Sequence, residues 1–119
     1  MPKTLPALDD ASPICCPPLG NGRRLTSDDA VALAIRLKAL ADPVRLQLIA
    51  HLLAQPDQEA CTCDLAPVVR LSEPTVSHHL KKLEGSGFLT KERRGMSVHY
   101  RVVPEAIRAI ANALGSGVA

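Results

Sequence analysis

Aromatic side chains are almost missing from this 119-residue chain: it has Phe88, Tyr100 and no tryptophan. Hydrophobic residues still make up 46% of it, so a core is available, but an aliphatic one of Leu, Ile, Val and Ala. Such cores usually pack as helices. No apolar run approaches the roughly 18–20 residues of a membrane span. The N-terminus lacks a basic-then-apolar signal pattern, so the expected location is cytoplasmic, with no membrane partner. The chain also lacks a nucleophile–base pair and a phosphate-binding glycine loop, and His51 and His99 stand alone, so an enzyme is not expected. Net charge is only +2, and bulk charge by itself points to no partner.

Where that charge lies says more. Residues 1–64 carry six Lys/Arg and eight Asp/Glu, a balance of −2. Residues 81–101 carry six cations (Lys81, Lys82, Lys91, Arg93, Arg94, Arg101) against Glu84 and Glu92, a balance of +4. A local basic surface on a near-neutral protein suits a nucleic-acid footprint.

The length suits one domain. Residues 1–24 hold five of the ten prolines and show no periodicity, which reads as a flexible N-terminal arm before a domain over 25–115. Thr26 or Ser27 can cap a first helix whose apolar stripe is Val31, Ala34, Ile35, Ala39 and Leu40. Asp42-Pro43 restarts the chain into a second helix, to about Gln55, with Val44, Leu48, Ile49 and Leu52 inward. Pro56-Asp57-Gln58 reads as a loop. A short helix spans Thr62 to Val69, and Arg70-Leu71 turns the chain. Ser72 caps the next helix, Glu73 to about Glu84, with Val76, Leu80 and Leu83 buried and Gly85 and Gly87 ending it. Val98, Tyr100 and Val102 then alternate with Ser97, His99 and Arg101, which predicts a two-stranded hairpin of Leu89–Arg93 and Ser97–Val102. Pro104 opens a last helix with Ile107, Ile110, Ala111 and Leu114 on one side.

This order makes a mainly α fold with a β-hairpin: a helix-turn-helix followed by a wing. With Val76, Leu80 and Leu83 buried, Ser72, Thr75, Ser77, His78, Lys81 and Lys82 can point outward from the reading helix. Hydroxyls and imidazole at its N-terminal end can reach base edges, and a helix N-terminus favours phosphate. Lys81 and Lys82 suit phosphate contacts, and Arg93 and Arg94 at the hairpin tip suit a minor groove or the backbone. His79 reads as a packing residue at the helix edge.

The four cysteines form two close pairs, Cys15-Cys16 in the arm and Cys61-Thr62-Cys63 at the short helix. In a chain with no sign of export, such pairs more often bind metal or do redox chemistry than staple a fold. The start of a helix lowers a thiol's pKa. Residues i and i+2 of a regular helix point to nearly opposite sides, so Cys61 and Cys63 can share an ion only if the first turn is irregular.

Four segments together closely resemble the ArsR/SmtB family of bacterial metal-responsive repressors. They are Leu37-Lys38-Ala39-Leu40-Ala41-Asp42-Pro43-Val44-Arg45-Leu46, Cys61-Thr62-Cys63-Asp64-Leu65, Ser77-His78-His79-Leu80-Lys81-Lys82-Leu83 and Val98-His99-Tyr100-Arg101-Val102. The resemblance implies a homodimeric winged helix-turn-helix, joined through its first and last helices. It implies binding to palindromic double-stranded operator DNA and release when metal binds.

The family places metal in several locations. A zinc site on the last helix uses Asp and His pairs, but Glu105 and Asn112 are all that helix offers here. Arsenic sensors of the family commonly have a third cysteine just after the Cys-x-Cys pair, where this chain has Ala66 and Pro67. Cadmium and lead sensors recruit cysteines from an N-terminal arm, and some arsenic sensors carry a Cys-Cys pair there. Three thiolates suit As(III) or Sb(III), and four suit Cd(II), Pb(II) or Zn(II). The expected ligands are Cys15 and Cys16 with one or both of Cys61 and Cys63. As(III) or Sb(III) is the expected inducer, with Cd(II) or Pb(II) the alternative. A thiol redox sensor is a third reading, weakened by the strain of a disulfide between adjacent residues.

Overall fold

The structure is a computed structural model and describes residues 18–20, 22 and 24–118. Its elements are α1 (Ser27–Leu40), α2 (Pro43–Leu53), β1 (Glu59–Cys61), α3 (Thr62–Val69), α4 (Glu73–Gly85), β2 (Leu89–Arg94), β3 (Ser97–Val102) and α5 (Pro104–Gly115). Each of the first four helices starts at a side chain that accepts a backbone N–H three residues on. Thr26 Oγ1 accepts from Asp29 at 3.0 Å, Asp42 Oδ2 from Arg45 at 3.0 Å, Cys61 Sγ from Asp64 at 3.2 Å, and Ser72 Oγ from Thr75 at 3.3 Å. These groups satisfy amides that the helix itself leaves without partners.

The turn of the helix-turn-helix is set by Arg70, which closes α3 in the left-handed region at φ 58°. Gly87, at φ 88°, ends α4, and Phe88 N–H returns to the Leu83 carbonyl at 3.0 Å. This sends the chain from α4 straight into β2. Gly95, at φ 62°, supplies the positive φ that a two-residue hairpin loop demands.

The sheet has three strands in the order β1-β3-β2, all antiparallel, rather than the two of a bare hairpin. β1 pairs Glu59, Ala60 and Cys61 with Arg101, Tyr100 and His99. Three residues are too few to show alternation, so this strand has no sequence signal. The segment before it is a 3₁₀ turn at Pro56–Gln58, with Asp57 at φ 56°, rather than an open loop.

The core is aliphatic and encloses both aromatics. Leu48, Leu52, Leu65, Val76, Leu80 and Leu83 surround Phe88 and Tyr100. The expected α1 stripe is buried only in part: Ala39 is buried and Ile35 and Leu40 are half-buried, but Ala34 is exposed and Val31 is 57% exposed, and Leu33 and Arg36 complete the inward face. On α5 the buried residues are Ala106, Ile110 and Ala113, while Ala111 is exposed and Leu114 is 44% exposed. Both helices therefore carry more apolar face than this chain covers. Arg36 is 1% exposed, and its Nη1 and Nη2 have no hydrogen-bond partner among the described residues. Among the described residues no helix is long and apolar enough to cross a membrane.

Candidate nucleic-acid interface and thiol site

α4 presents its outward face as the sequence implies. Ser72, Thr75, His78, Lys81 and Lys82 are exposed, and Val76, Leu80 and Leu83 are fully buried beneath them. Ser72 and Thr75 are joined through their hydroxyls at 2.9 Å, so the N-cap and first turn act as one polar unit. Ser77 is half-buried. It faces the phenol of Tyr100, whose pKa is pushed up by burial and by the Glu84 charge and drawn back by the Ser77 hydroxyl.

His79 is half-buried, with its ring centroid 6.1 Å from that of His78. Its Nδ1 lies 3.1 Å from Arg45 Nη1 and 3.9 Å from Asp42 Oδ2. Arg45 Nε also donates to the Ala39 carbonyl at 2.6 Å. One guanidinium thus joins the end of α1, the start of α2 and the middle of α4. The backbone N–H of Arg45 and the neighbouring charges hold the Asp42 carboxyl below its usual range.

The two expected wing arginines differ. Arg93 is exposed and makes no ion pair among the described residues. Arg94 folds back along the sheet instead of projecting from the tip. Its Nη1 and Nη2 each lie 3.0 Å from the Glu59 carboxylate, and Nη2 is 2.8 Å from Glu92. Arg101 Nη2 adds a further contact to Glu59 at 3.0 Å. The Arg94 hydrogen bond holds the Glu59 carboxyl below its ordinary value, and Glu59 in turn raises the Arg94 pKa. Glu59 carried no signal in the sequence, because its partners lie 35 and 42 residues away.

Cys61 and Cys63 come together, with Cα atoms 5.3 Å apart and the sulfurs joined in a disulfide. The expected divergence of i and i+2 does not apply, because Cys61 is not a helical residue. It is the N-cap, with extended backbone (φ −84°, ψ 159°), and only Cys63 lies on the helix. Pro67 cannot donate to the Cys63 carbonyl four residues back, which further loosens this first turn. Cys61 is buried and Cys63 exposed. Cys61 Sγ, Cys63 Sγ and an Asp64 carboxylate oxygen all lie within 4.8 Å of one another. Cys15 and Cys16 lie outside the described residues.

A groove of about 340 Å³ opens beside the thiol pair. Its walls include Cys61 and Cys63, Pro74 and Ser77 from α4, and Met96 and Val98 from the hairpin. Met96 is 96% exposed at the hairpin turn. The sulfur pair thus borders both elements that a winged helix-turn-helix applies to a duplex.

The described elements define a winged helix-turn-helix of the kind found in DNA-binding transcriptional regulators. The family described as "Bacterial regulatory protein, arsR family" matches residues 42–91. The putative arsenical resistance operon repressor ArsR2 of Halobacterium salinarum is 34% identical over 92 residues, covering 76% of this chain and 73% of that protein. The arsenic resistance transcriptional regulator ArsR1 of Pseudomonas putida is 39% identical over 71 residues, covering 60% of this chain and 54% of that one. The crystal structure of the AntR antimony-specific transcriptional repressor superposes with a TM-score of 0.66 at 31% identity, covering 78% of this chain and 83% of that one. The chain belongs to the ArsR family. It spans about half the length of several curated relatives that it matches.

Proposed function

We propose that this protein is a dimeric transcriptional repressor that leaves operator DNA when As(III) or Sb(III) binds its cysteine thiolates. The observation that carries this reading is the convergence of Cys61 and Cys63 in a groove walled by the reading helix and the wing. The exposed Ser72, Thr75, His78, Lys81, Lys82 and Arg93, with half-buried Ser77, would form the duplex-facing surface, and Arg94 would join them if freed from Glu59. The uncovered apolar faces of α1 and α5 support a homodimer joined through those helices. A cytoplasmic location accords with a DNA-binding role.

The residues fit a soft thiophilic ion. Binding requires the Cys61–Cys63 disulfide to be opened, with a cellular thiol supplying two electrons and two protons. Loss of the protons then leaves two thiolates, which suit As(III), Sb(III), Cd(II) or Pb(II) better than any hard cation. Cys15 and Cys16, on the arm of residues 1–24, would complete the ligand set. Leu19 N–H donates to the Ala113 carbonyl at 3.1 Å and Gly20 N–H to Ser116 Oγ at 2.8 Å. These bonds fix the chain three residues after Cys16 at the C-terminal end of α5. A site completed by cysteines of that arm would bridge the subunits. Metal and operator would then be coupled reciprocally, typically by about 1–3 kcal/mol.

The disulfide favours one second reading, a thiol redox sensor in which peroxide converts the Cys61/Cys63 dithiol to the disulfide with release of water. One titration separates the two. Operator duplex selected from a random pool is bound by reduced protein, then challenged with arsenite, antimonite, cadmium, lead, zinc or peroxide. Cys15→Ser, Cys16→Ser, Cys61→Ser and Cys63→Ser are run in parallel. The metalloid reading expects release by arsenite or antimonite under strong reductant, lost in the Cys61→Ser variant. Release by peroxide alone overturns it, and a normal response in both arm variants removes Cys15 and Cys16 from the site.

A further inference from the structure

The wing carries four cations, yet the structure leaves few of them free. Lys91 lies 3.9 Å from Glu84, Arg94 is held by Glu59 and Glu92, and Arg101 is held by Glu59. Cross-strand register places Glu59 opposite Arg101, with Glu92 and Arg94 further along the same face of the sheet. Arg94 starts at the hairpin tip and reaches back over that face to Glu59. The contact is bidentate, with Nη1 and Nη2 each 3.0 Å from a different carboxylate oxygen. A guanidinium grips a phosphate with the same fork. The Glu59 side chain is only 18% exposed, so this pair is less screened than an ordinary surface bridge.

We propose that Glu59 is an internal substitute for DNA phosphate, holding Arg94 and Arg101 against the sheet and limiting how many phosphates the wing engages. The inference rests on the DNA-binding reading above. Each guanidinium that moves to a phosphate must first leave Glu59, so the duplex gains little net charge neutralisation from it. Removing the Glu59 charge releases Arg101 and leaves Arg94 held by the more exposed Glu92 alone, while keeping the side chain's shape. Glu59 also stands on the three-residue strand that ends at Cys61, so the clamp and the thiol pair share one short element.

The test is duplex binding by the full chain across a salt series, followed by fluorescence anisotropy. A duplex selected by the protein and a random duplex are both used, with wild type, Glu59→Gln, Arg94→Gln and the double variant. Glu59→Gln is expected to bind both duplexes more tightly. Its plot of log affinity against log salt should steepen by about 0.9 for each arginine that gains a phosphate, so by up to about 1.8. Arg94→Gln alone should leave the slope near wild type, and in the double variant it should remove about half or more of the gain. An unchanged slope in a Glu59→Gln variant that remains folded at the assay temperature overturns the proposal. So does weaker binding by a folded Glu59→Gln. Failure of wild type to bind any duplex sinks the DNA-binding reading along with it, whereas wild-type binding with no Glu59→Gln effect sinks only this inference.

Discussion

Arg45 Nη1 lies 3.1 Å from His79 Nδ1, linking the first turn of α2 to the middle of the reading helix. A guanidinium can only donate, so this bond requires the tautomer in which Nδ1 accepts. The same side chain donates to the Ala39 carbonyl at 2.6 Å. Arg45→Ala removes both bonds and leaves a part-buried carbonyl unpaired. Loss of hydrogen bonds from a charged group should lower stability by about 1–3 kcal/mol. Because α4 is then held less firmly, duplex affinity should fall too, although Arg45 touches no DNA in this reading. Urea denaturation and anisotropy check the two effects, and unchanged stability would show that the bridge contributes nothing.

Ser72 has two roles that one pair of variants can separate. It caps α4 by accepting from the Thr75 N–H at 3.3 Å, and it lies on the proposed duplex face. Ser72→Ala should cost about 1 kcal/mol of stability through loss of the cap. Ser72→Asp keeps a capping oxygen and places favourable negative charge at the helix N-terminus. It should match wild type in a thermal melt yet bind duplex more weakly, since that charge meets phosphate. Wild-type affinity in Ser72→Asp would remove Ser72 from the interface.

Much of this architecture is written locally in the chain. Asp42-Pro43, Ser72 and the Val98/Tyr100/Val102 alternation each fix a boundary through contacts a few residues apart. The α4 core face of Val76, Leu80 and Leu83 follows from helical spacing alone, because one side of that helix is buried in the same chain. α1 misled for the opposite reason. The Val31 and Ala34 end of its apolar stripe is exposed while Ala39 is buried and Leu40 packs on the core, and a buried arginine lies on the face that packs. β1 and the Glu59 cluster were illegible because they depend on pairing across 35 to 42 residues. Spacing marks the cysteine pair, but its convergence depends on Cys61 being a cap rather than a helical residue, which spacing does not encode.

The Glu59 cluster should make stability depend on pH on the acid side. The Arg94 hydrogen bond lowers the folded-state pKa of Glu59 from an ordinary value of 4.5. Its stabilisation is therefore complete above 4.5 and is lost as pH falls below 4.5 through the lowered folded value. Asp42, lowered from 3.8 chiefly by the Arg45 N–H, acts in the same direction at slightly lower pH. Denaturant midpoints measured from pH 7 to pH 3 should fall for wild type below about pH 4.5. Glu59→Gln should fall less steeply there while retaining the Asp42 contribution. Identical pH profiles for the two proteins would show that the carboxylate is not stabilised by its arginines.

Arg36 gives the least intuitive prediction. It is 1% exposed on the packed face of α1, and Nη1 and Nη2 find no hydrogen-bond partner among the described residues. Burying polar groups without partners carries a desolvation cost of about 1–3 kcal/mol for each unsatisfied group, and more for a charged one. An apolar side chain removes that cost, and replacing buried charge with hydrophobic residues of similar size is often neutral or stabilising. Leucine is smaller than arginine, so some packing is lost; methionine, unbranched and adaptable, fills more of the space. Arg36→Met is therefore expected to raise the urea midpoint, and Arg36→Leu to raise it less. Chemical denaturation at several protein concentrations checks this and separates chain stability from dimer association. A loss of unfolding free energy of more than about 1 kcal/mol for both variants would mean that the guanidinium is satisfied in solution by a group on the same chain or its partner.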